Sequence, residues 1–194
     1  MKEKEELFRK IENSTTFRNI CSIFGLRSKA VLDIGCGYGQ YLKHFGQGSL
    51  GITTAAEEVK FGQANSLNIT LGNAERLPND LGKFEAIWAN NLYEHLLSPH
   101  AFLMNLKKFA DEKSVVILGV PVVPKIVSLI NLKWWRGALA SNHVNFFTRD
   151  TLRLSIERAG WKSVAVRPFI FENTLLDYLA RPFAPHIYVV AKND

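Results

Sequence analysis

The run Val31-Leu32-Asp33-Ile34-Gly35-Cys36-Gly37-Tyr38-Gly39 constrains this chain more than any other stretch. A short apolar segment closing on alternating glycines reads as a buried strand that enters a tight turn. Gly35 and Gly37 carry no Cβ, so the backbone can turn sharply there and approach a ligand closely. Asp33 sets a carboxylate at the C-terminal end of the strand, where open α/β sheets bind ligands. Tyr38 to Phe45 reads as the helix that follows, its first amides facing polar ligand groups. The dinucleotide fingerprint G-x-G-x-x-G, with an acid ~20 residues on, does not fit. Here the third glycine comes one residue early, at Gly39, and position 40 is Gln.

The rest of the chain repeats a strand–helix rhythm. Apolar runs predict strands over 30–34, 49–53, 67–71, 84–89 and 114–120, with helices over 57–65 and 99–110 between them. Two N-terminal helices precede the first strand: an exposed, charge-laced one over 3–12, and one from Thr15 to Phe24 that stops at Gly25. Thr148 and Gly160 bracket another helix as N-cap and C-terminal stop. Two strands, 161–169 and 186–191, follow with only a polar and aromatic connection, which predicts an antiparallel edge. Alternation over this length implies a parallel sheet covered on both faces.

A chain of 194 residues holds one domain with a large core. It divides into N-terminal helices over 3–25, the sheet, and a lid-like insertion over about 122–142. No apolar stretch approaches the ~20 residues of a membrane span. Residues 1–10 alternate Lys and Glu instead of forming a signal peptide, which predicts a cytoplasmic protein. Cys21 and Cys36 have neither metal-ligand nor disulfide spacing, so no metal is expected. The net charge of +6 is modest, but no acid lies between Glu112 and Asp150, where Lys113, Lys125, Lys133, Arg136 and Arg149 are all basic. Such a segment is either a solvated face or a surface for an anionic partner.

Four segments in order, "VLDIGCGYG", "GNAERLP", "KFEAIWANNLYEHL" and "HVNFFTRDTLRLSIERAGW", resemble the class I S-adenosylmethionine-dependent methyltransferases, in their small-molecule branch, over roughly residues 28–191. The resemblance implies an α/β, Rossmann-like fold: seven strands, mostly parallel with one antiparallel, and helices on both faces. It implies S-adenosylmethionine as cofactor. Asp33, Gly35, Cys36 and Gly37 would lie beside its methionine and ribose portion. Asn73, Ala74 and Glu75 would line the adenine end, with Asn73 holding the adenine amino group. Asn90 would stand next to the methionine moiety.

Two positions depart from the family pattern. Thr53 stands where the family has an acid that accepts both ribose hydroxyls, and Glu57 and Glu58 fall on the next helix, out of reach. Loss of a charge-assisted pair of bonds costs roughly 1.5–3 kcal/mol, about one to two decades of affinity. Asn73 replaces a common Asp, a milder change because its amide oxygen still accepts one hydrogen bond.

Methyl transfer from a sulfonium requires alignment above all; a general base serves only when the acceptor must lose a proton. His95 and His143 are the candidate catalytic residues, with Glu94 beside them and an imidazole pKa suited to proton removal. In the lid, Ile126, Leu129, Ile130 and Trp134 fall at helical spacing next to Lys133 and Arg136. That composition predicts a small-molecule or lipid-like acceptor with an apolar body and an anionic group. An RNA acceptor is disfavoured, since Asn90-Asn91-Leu92-Tyr93 lacks the prolines of the base-amine methylating motif. A scaffold that has lost catalysis is the third reading, and Thr53 is its support.

Overall fold

Seven strands, β1 (Val31–Ile34), β2 (Leu50–Thr53), β3 (Ile69–Leu71), β4 (Phe84–Asn90), β5 (Ala110–Pro121), β6 (Trp161–Arg167) and β7 (His186–Asn193), pair in the order β3-β2-β1-β4-β5-β7-β6. The computed structural model describes residues 2–124 and 131–193. β1 pairs in parallel with both β2 and β4, and β7 runs antiparallel between β5 and β6. The single antiparallel strand is as expected, but it does not form the edge. The chain leaves β6, makes a short helix and returns to pair with β5, so β6 becomes the outer strand.

Alternation along the strands feeds two apolar layers. Leu32, Ile87, Val116 and Val189 pack on one face with Phe102, Leu103 and Leu106 of α4 (Pro99–Leu106) and Leu152 and Ile156 of α5 (Arg149–Arg158). Val31, Trp88, Ile117 and Val190 face the other way, onto Phe17, Ile20 and Cys21 of α2 (Thr15–Phe24). Asn19 secures α2 by donating from Nδ2 to the carbonyls of Phe169 (3.0 Å) and Ile170 (3.2 Å). The charged helix α1 (Lys2–Glu12) rests on the surface, where Phe8 meets Phe61 of α3 (Ala56–Ala64). No helix among the described residues is long and apolar enough to cross a membrane.

Three local expectations change. Tyr38 to Phe45 is not an α-helix: turns lead to a single 3-10 turn at Leu42–His44. Gly39 sits at φ +84°, and a Cβ there would stand 2.8 Å from Leu67, so the chain is folded against β3 instead of coiling. Between β6 and β7 there is a helix, α6 (Thr174–Ala180), capped by Asn173 Oδ1, which accepts from the Leu175 and Leu176 amides. In the insertion, Ile126, Leu129 and Ile130 lie outside the described residues. The described part is a 3-10 helix, Lys133–Leu139, in which Trp135 is buried and Trp134 faces solvent.

The Thr148 cap is confirmed as a reciprocal pair: Thr148 Oγ1 accepts from the Thr151 amide, and Thr151 Oγ1 from the Thr148 amide. Thr148→Ala is expected to cost about 1 kcal/mol, read as a melting point lower by about 2–4 °C. An unchanged melting curve would show that α5 is held by packing alone.

Candidate functional site

Strand order reverses direction at β1: the chain goes to β2 on one side and later returns to β4 on the other. Such switch points leave a crevice at the C-terminal ends of the strands. The glycine turn closes it, with Gly35 at φ +76° and Gly37 at φ +56°. The amides of Gly35 and Cys36 both donate to the Ile52 carbonyl (2.9 and 3.0 Å), tying the turn to β2 instead of pointing it at a ligand. A cleft of about 210 Å³ opens beside it, lined among others by Gly35, Gly37, Thr53, Glu58, Ala74 and Leu92.

Asp33, on β1 two residues before the glycine turn, is 1% exposed, and its Oδ2 has no hydrogen-bond partner. Burial pushes its carboxyl up to about 8. Asp33 in turn adds to burial in raising the Tyr41 phenol. That hydroxyl accepts from Asn90 Nδ2 (3.1 Å), while Asn90 Oδ1 is buried without a partner. Gly119 makes room for this amide, since a Cβ there would stand 2.1 Å from Asn90 Oδ1. Two orphaned acceptors near the C-terminal ends of the neighbouring strands β1 and β4 suit a cationic group, because an unmet buried acceptor costs about 1–3 kcal/mol. The ammonium and sulfonium of S-adenosylmethionine have that chemistry, so the residues present fit the group. Cys36 is a packed thiol: burial, then Asp33 and Glu58, raise it far above the ordinary cysteine range.

The structure corrects the reading of Glu58. Thr53 Oγ1 accepts from the Ala55 amide (3.2 Å) and donates to Glu58 Oε2. The turn so formed folds the first turn of α3 back, and a carboxylate lines the cleft beside Thr53 after all. The adenine end matches the expectation less closely. Ala74 lines the cleft, whereas exposed Asn73 accepts the Glu75 amide (2.8 Å), and Glu75 Oε1 takes the Ser98 amide (2.7 Å). Two residues that the sequence did not single out lie here as well: Leu92 lines the cleft, and Tyr41 bonds Asn90.

Beyond the end of β4 comes the turn Tyr93–His95. The amides of Val144 and Asn145 donate to the Glu94 carbonyl (3.0 and 2.9 Å), and Asn145 Nδ2 donates to the Leu96 carbonyl (2.6 Å). These bonds bring His143 to His95, with ring centroids 4.8 Å apart. Glu94 lies between them, 1% exposed, and burial raises its carboxyl despite both histidines. Leu97, Trp134, Leu139, Val144 and Phe146 are exposed apolar side chains in the same segments. Among the described residues, the basic stretch does not form one patch. Lys113 sits near the start of β5, and Lys133 and Arg136 lie beyond its end, about 25 Å of strand away.

A family model described as "Methyltransferase domain" matches residues 5–166. Norajmaline N-methyltransferase of Rauvolfia serpentina is 27% identical over 122 residues, 57% of this chain and 42% of that protein. A probable chloroplastic tocopherol O-methyltransferase of Oryza sativa subsp. japonica is 26% identical over 122 residues, 57% of this chain and 34% of that one. The chain thus matches less than half the length of these curated relatives. Among solved structures, an S-adenosylmethionine-dependent methyltransferase from Clostridium acetobutylicum superposes with a TM-score of 0.69 at 9% identity, covering 91% of this chain and 89% of the other. One from Mesorhizobium loti gives 0.67 at 14% identity, covering 94% and 99%. With the glycine turn, the switch-point crevice and the inserted antiparallel strand in place, this chain belongs to the class I S-adenosylmethionine-dependent methyltransferase family.

Proposed function

We propose that the protein transfers a methyl group from S-adenosylmethionine to a small-molecule or lipid-like acceptor with an apolar body and an anionic group. The observation that carries this reading is the pair of unpartnered buried acceptors, Asp33 Oδ2 and Asn90 Oδ1, near the C-terminal ends of β1 and β4 at the switch point. In this reading Asp33 and Asn90 hold the charged methionine end, Gly35, Cys36 and Gly37 give it backbone room, and Thr53 with Glu58 receives the ribose. Ala74 faces the adenine, and Asn73 and Glu75 shape the loop that carries it.

When bound, the cofactor supplies an already activated sulfonium methyl, so the protein contributes alignment and exclusion of water. The acceptor enters beside His95 and His143, whose imidazoles can take a proton from it. The exposed apolar rim suits an apolar body, and Lys133 and Arg136 suit an anionic end. Relatives named for norajmaline and for tocopherol support a small or lipid-like acceptor. The separation of the basic side chains weighs against a nucleic-acid track, which needs several phosphate contacts. A carboxylate in the cleft beside Thr53 weighs against a scaffold without activity.

Calorimetric titration with S-adenosylmethionine and S-adenosylhomocysteine tests the reading, followed by a labelled-methyl screen of amphiphilic anionic acceptors against RNA. Micromolar binding and incorporation into an amphiphile are the expected results. Folded protein that ignores both ligands at millimolar concentration overturns the enzyme reading, and incorporation only into RNA overturns the acceptor class.

A further inference from the structure

We propose that Glu94, His95 and His143 form a binding site for one divalent transition-metal cation. Among the described residues they are the group whose imidazole nitrogens and carboxylate oxygen all lie within 4.8 Å of one another. His95 Nδ1 meets the Asn142 carbonyl at 3.0 Å, and His143 Nδ1 meets the Ala138 carbonyl at 3.3 Å. A carbonyl only accepts, so each Nδ1 carries a proton, and in the neutral form of either ring the lone pair is at Nε2. Both Nε2 atoms stand 3.9 Å from Glu94 Oε1, too far for a hydrogen bond. Glu94 Oε2 is buried and has no partner. With neutral imidazoles and an ionised carboxylate, three acceptors converge within 4.8 Å of one another, and a cation satisfies all three in place of protons.

The surroundings fit such a role. Metal-bound histidines usually donate their second ring nitrogen to a carbonyl or carboxylate, which fixes tautomer and orientation, and both histidines here do so. The Val144 and Asn145 amides clamp the His143 segment onto the Glu94 backbone, so the ligands are held from two elements. Ligands at ~2.0–2.1 Å from a tetrahedral ion stand about 3.3 Å apart. The separations here, 3.9 Å from Glu94 Oε1 to each Nε2 and none above 4.8 Å in the group, reach that by rotation of the three side chains. Two imidazoles and a carboxylate select Zn²⁺, Mn²⁺, Fe²⁺ or Co²⁺ over the all-oxygen ions Mg²⁺ and Ca²⁺.

Three protein ligands leave a coordination position for water or for an oxygen of the acceptor. That use rests on the methyl-transfer reading; the site itself does not. An imidazole that binds a cation at Nε2 cannot take a proton at the same atom, so cation binding and the general-base role exclude each other.

Untagged protein, stripped with chelator and dialysed, is titrated with Zn²⁺ by calorimetry and with Co²⁺ by visible absorption. One equivalent per chain is expected, with a dissociation constant of about a micromolar or below and Co²⁺ d–d bands. Glu94→Gln, His95→Asn and His143→Asn should each weaken binding at least tenfold, whereas the exposed-site control His100→Asn should not. His95 is partly exposed, so its variant remains informative if loss of His143 unfolds the lid. Absence of stoichiometric binding, or binding that survives both His95→Asn and His143→Asn, overturns the proposal and leaves the cluster to be neutralised by protons alone. S-adenosylhomocysteine is titrated into the same stripped protein. Cofactor without cation binding sinks the metal site only; cation without cofactor binding sinks the methyl-transfer reading only.

Discussion

Asp33→Asn is expected to abolish cofactor binding while making the protein itself more stable. Asp33 is buried with an unpartnered oxygen, and burial alone pushes its carboxyl up to about 8. An unfolded chain ionises this group near pH ~3.9. Between those two values the folded protein keeps the proton that the unfolded chain releases, so stability falls as pH rises through that window. Below it both states are protonated and no penalty remains. Asn carries no charge to bury, so its gain in melting temperature should be absent near pH 4 and grow to about 3–8 °C at pH 8. Binding moves the other way. A cationic methionine end draws the carboxylate form, so wild-type affinity should weaken as pH falls from 8, approaching tenfold per pH unit. Asn should lose at least about 100-fold, some 2.7 kcal/mol. Calorimetry with S-adenosylhomocysteine and melting curves over the same pH series read both effects. Retained affinity with an unchanged melting curve would make Asp33 an ordinary core residue.

The burial of Asp33 beside the glycine turn was legible in the sequence. A carboxylate in a strand that ends on glycines is a local misfit, and sequence exposes local misfits directly. The strands were legible for a related reason: Val31 to Ile34 and Ser114 to Val120 are too short and too apolar to be anything but buried strands. What escaped depends on contacts between distant segments. The helix expected from Tyr38 to Phe45 fails because Gly39 folds the turn onto Leu67, a neighbour supplied by the approach to β3. α6 had a sequence signal in Asn173, yet Leu175, Leu176, Tyr178 and Leu179 are all exposed, so no apolar seam marked it. The burial of Glu94 between two histidines arises from the bonds that dock residues 143–145 onto the β4 turn, across about fifty positions of sequence. Glu58 is an intermediate case. The Thr53 turn that brings it back is local, but its meaning appears only once Thr53 is known to end the strand that faces the cleft.

Glu58→Gln is expected to weaken S-adenosylhomocysteine binding about 10–100-fold, the equivalent of roughly 1.5–3 kcal/mol for charge-assisted hydrogen bonds. Family members place the ribose-binding acid at the end of the second strand, and this chain has Thr there. The hydroxyl of Thr53 donates to the Glu58 carboxylate, which fixes one oxygen and leaves the other to accept from a ribose hydroxyl. Thr53→Ala should therefore cost less than Glu58→Gln, since it loosens the carboxylate without removing its charge. Because the two side chains are bonded, their losses should not add, and a double-mutant cycle should return a coupling of about 0.5–3 kcal/mol. The 2′-deoxyribose analogue distinguishes a ribose contact from a general electrostatic effect. Wild type should bind it about tenfold more weakly than the parent ligand, while Glu58→Gln should scarcely discriminate between them. Moving the acid back, as Thr53→Glu combined with Glu58→Gln, should restore both affinity and discrimination. If Glu58→Gln loses affinity equally for both ligands and the double variant restores neither, the carboxylate acts by charge at a distance and the ribose is held elsewhere.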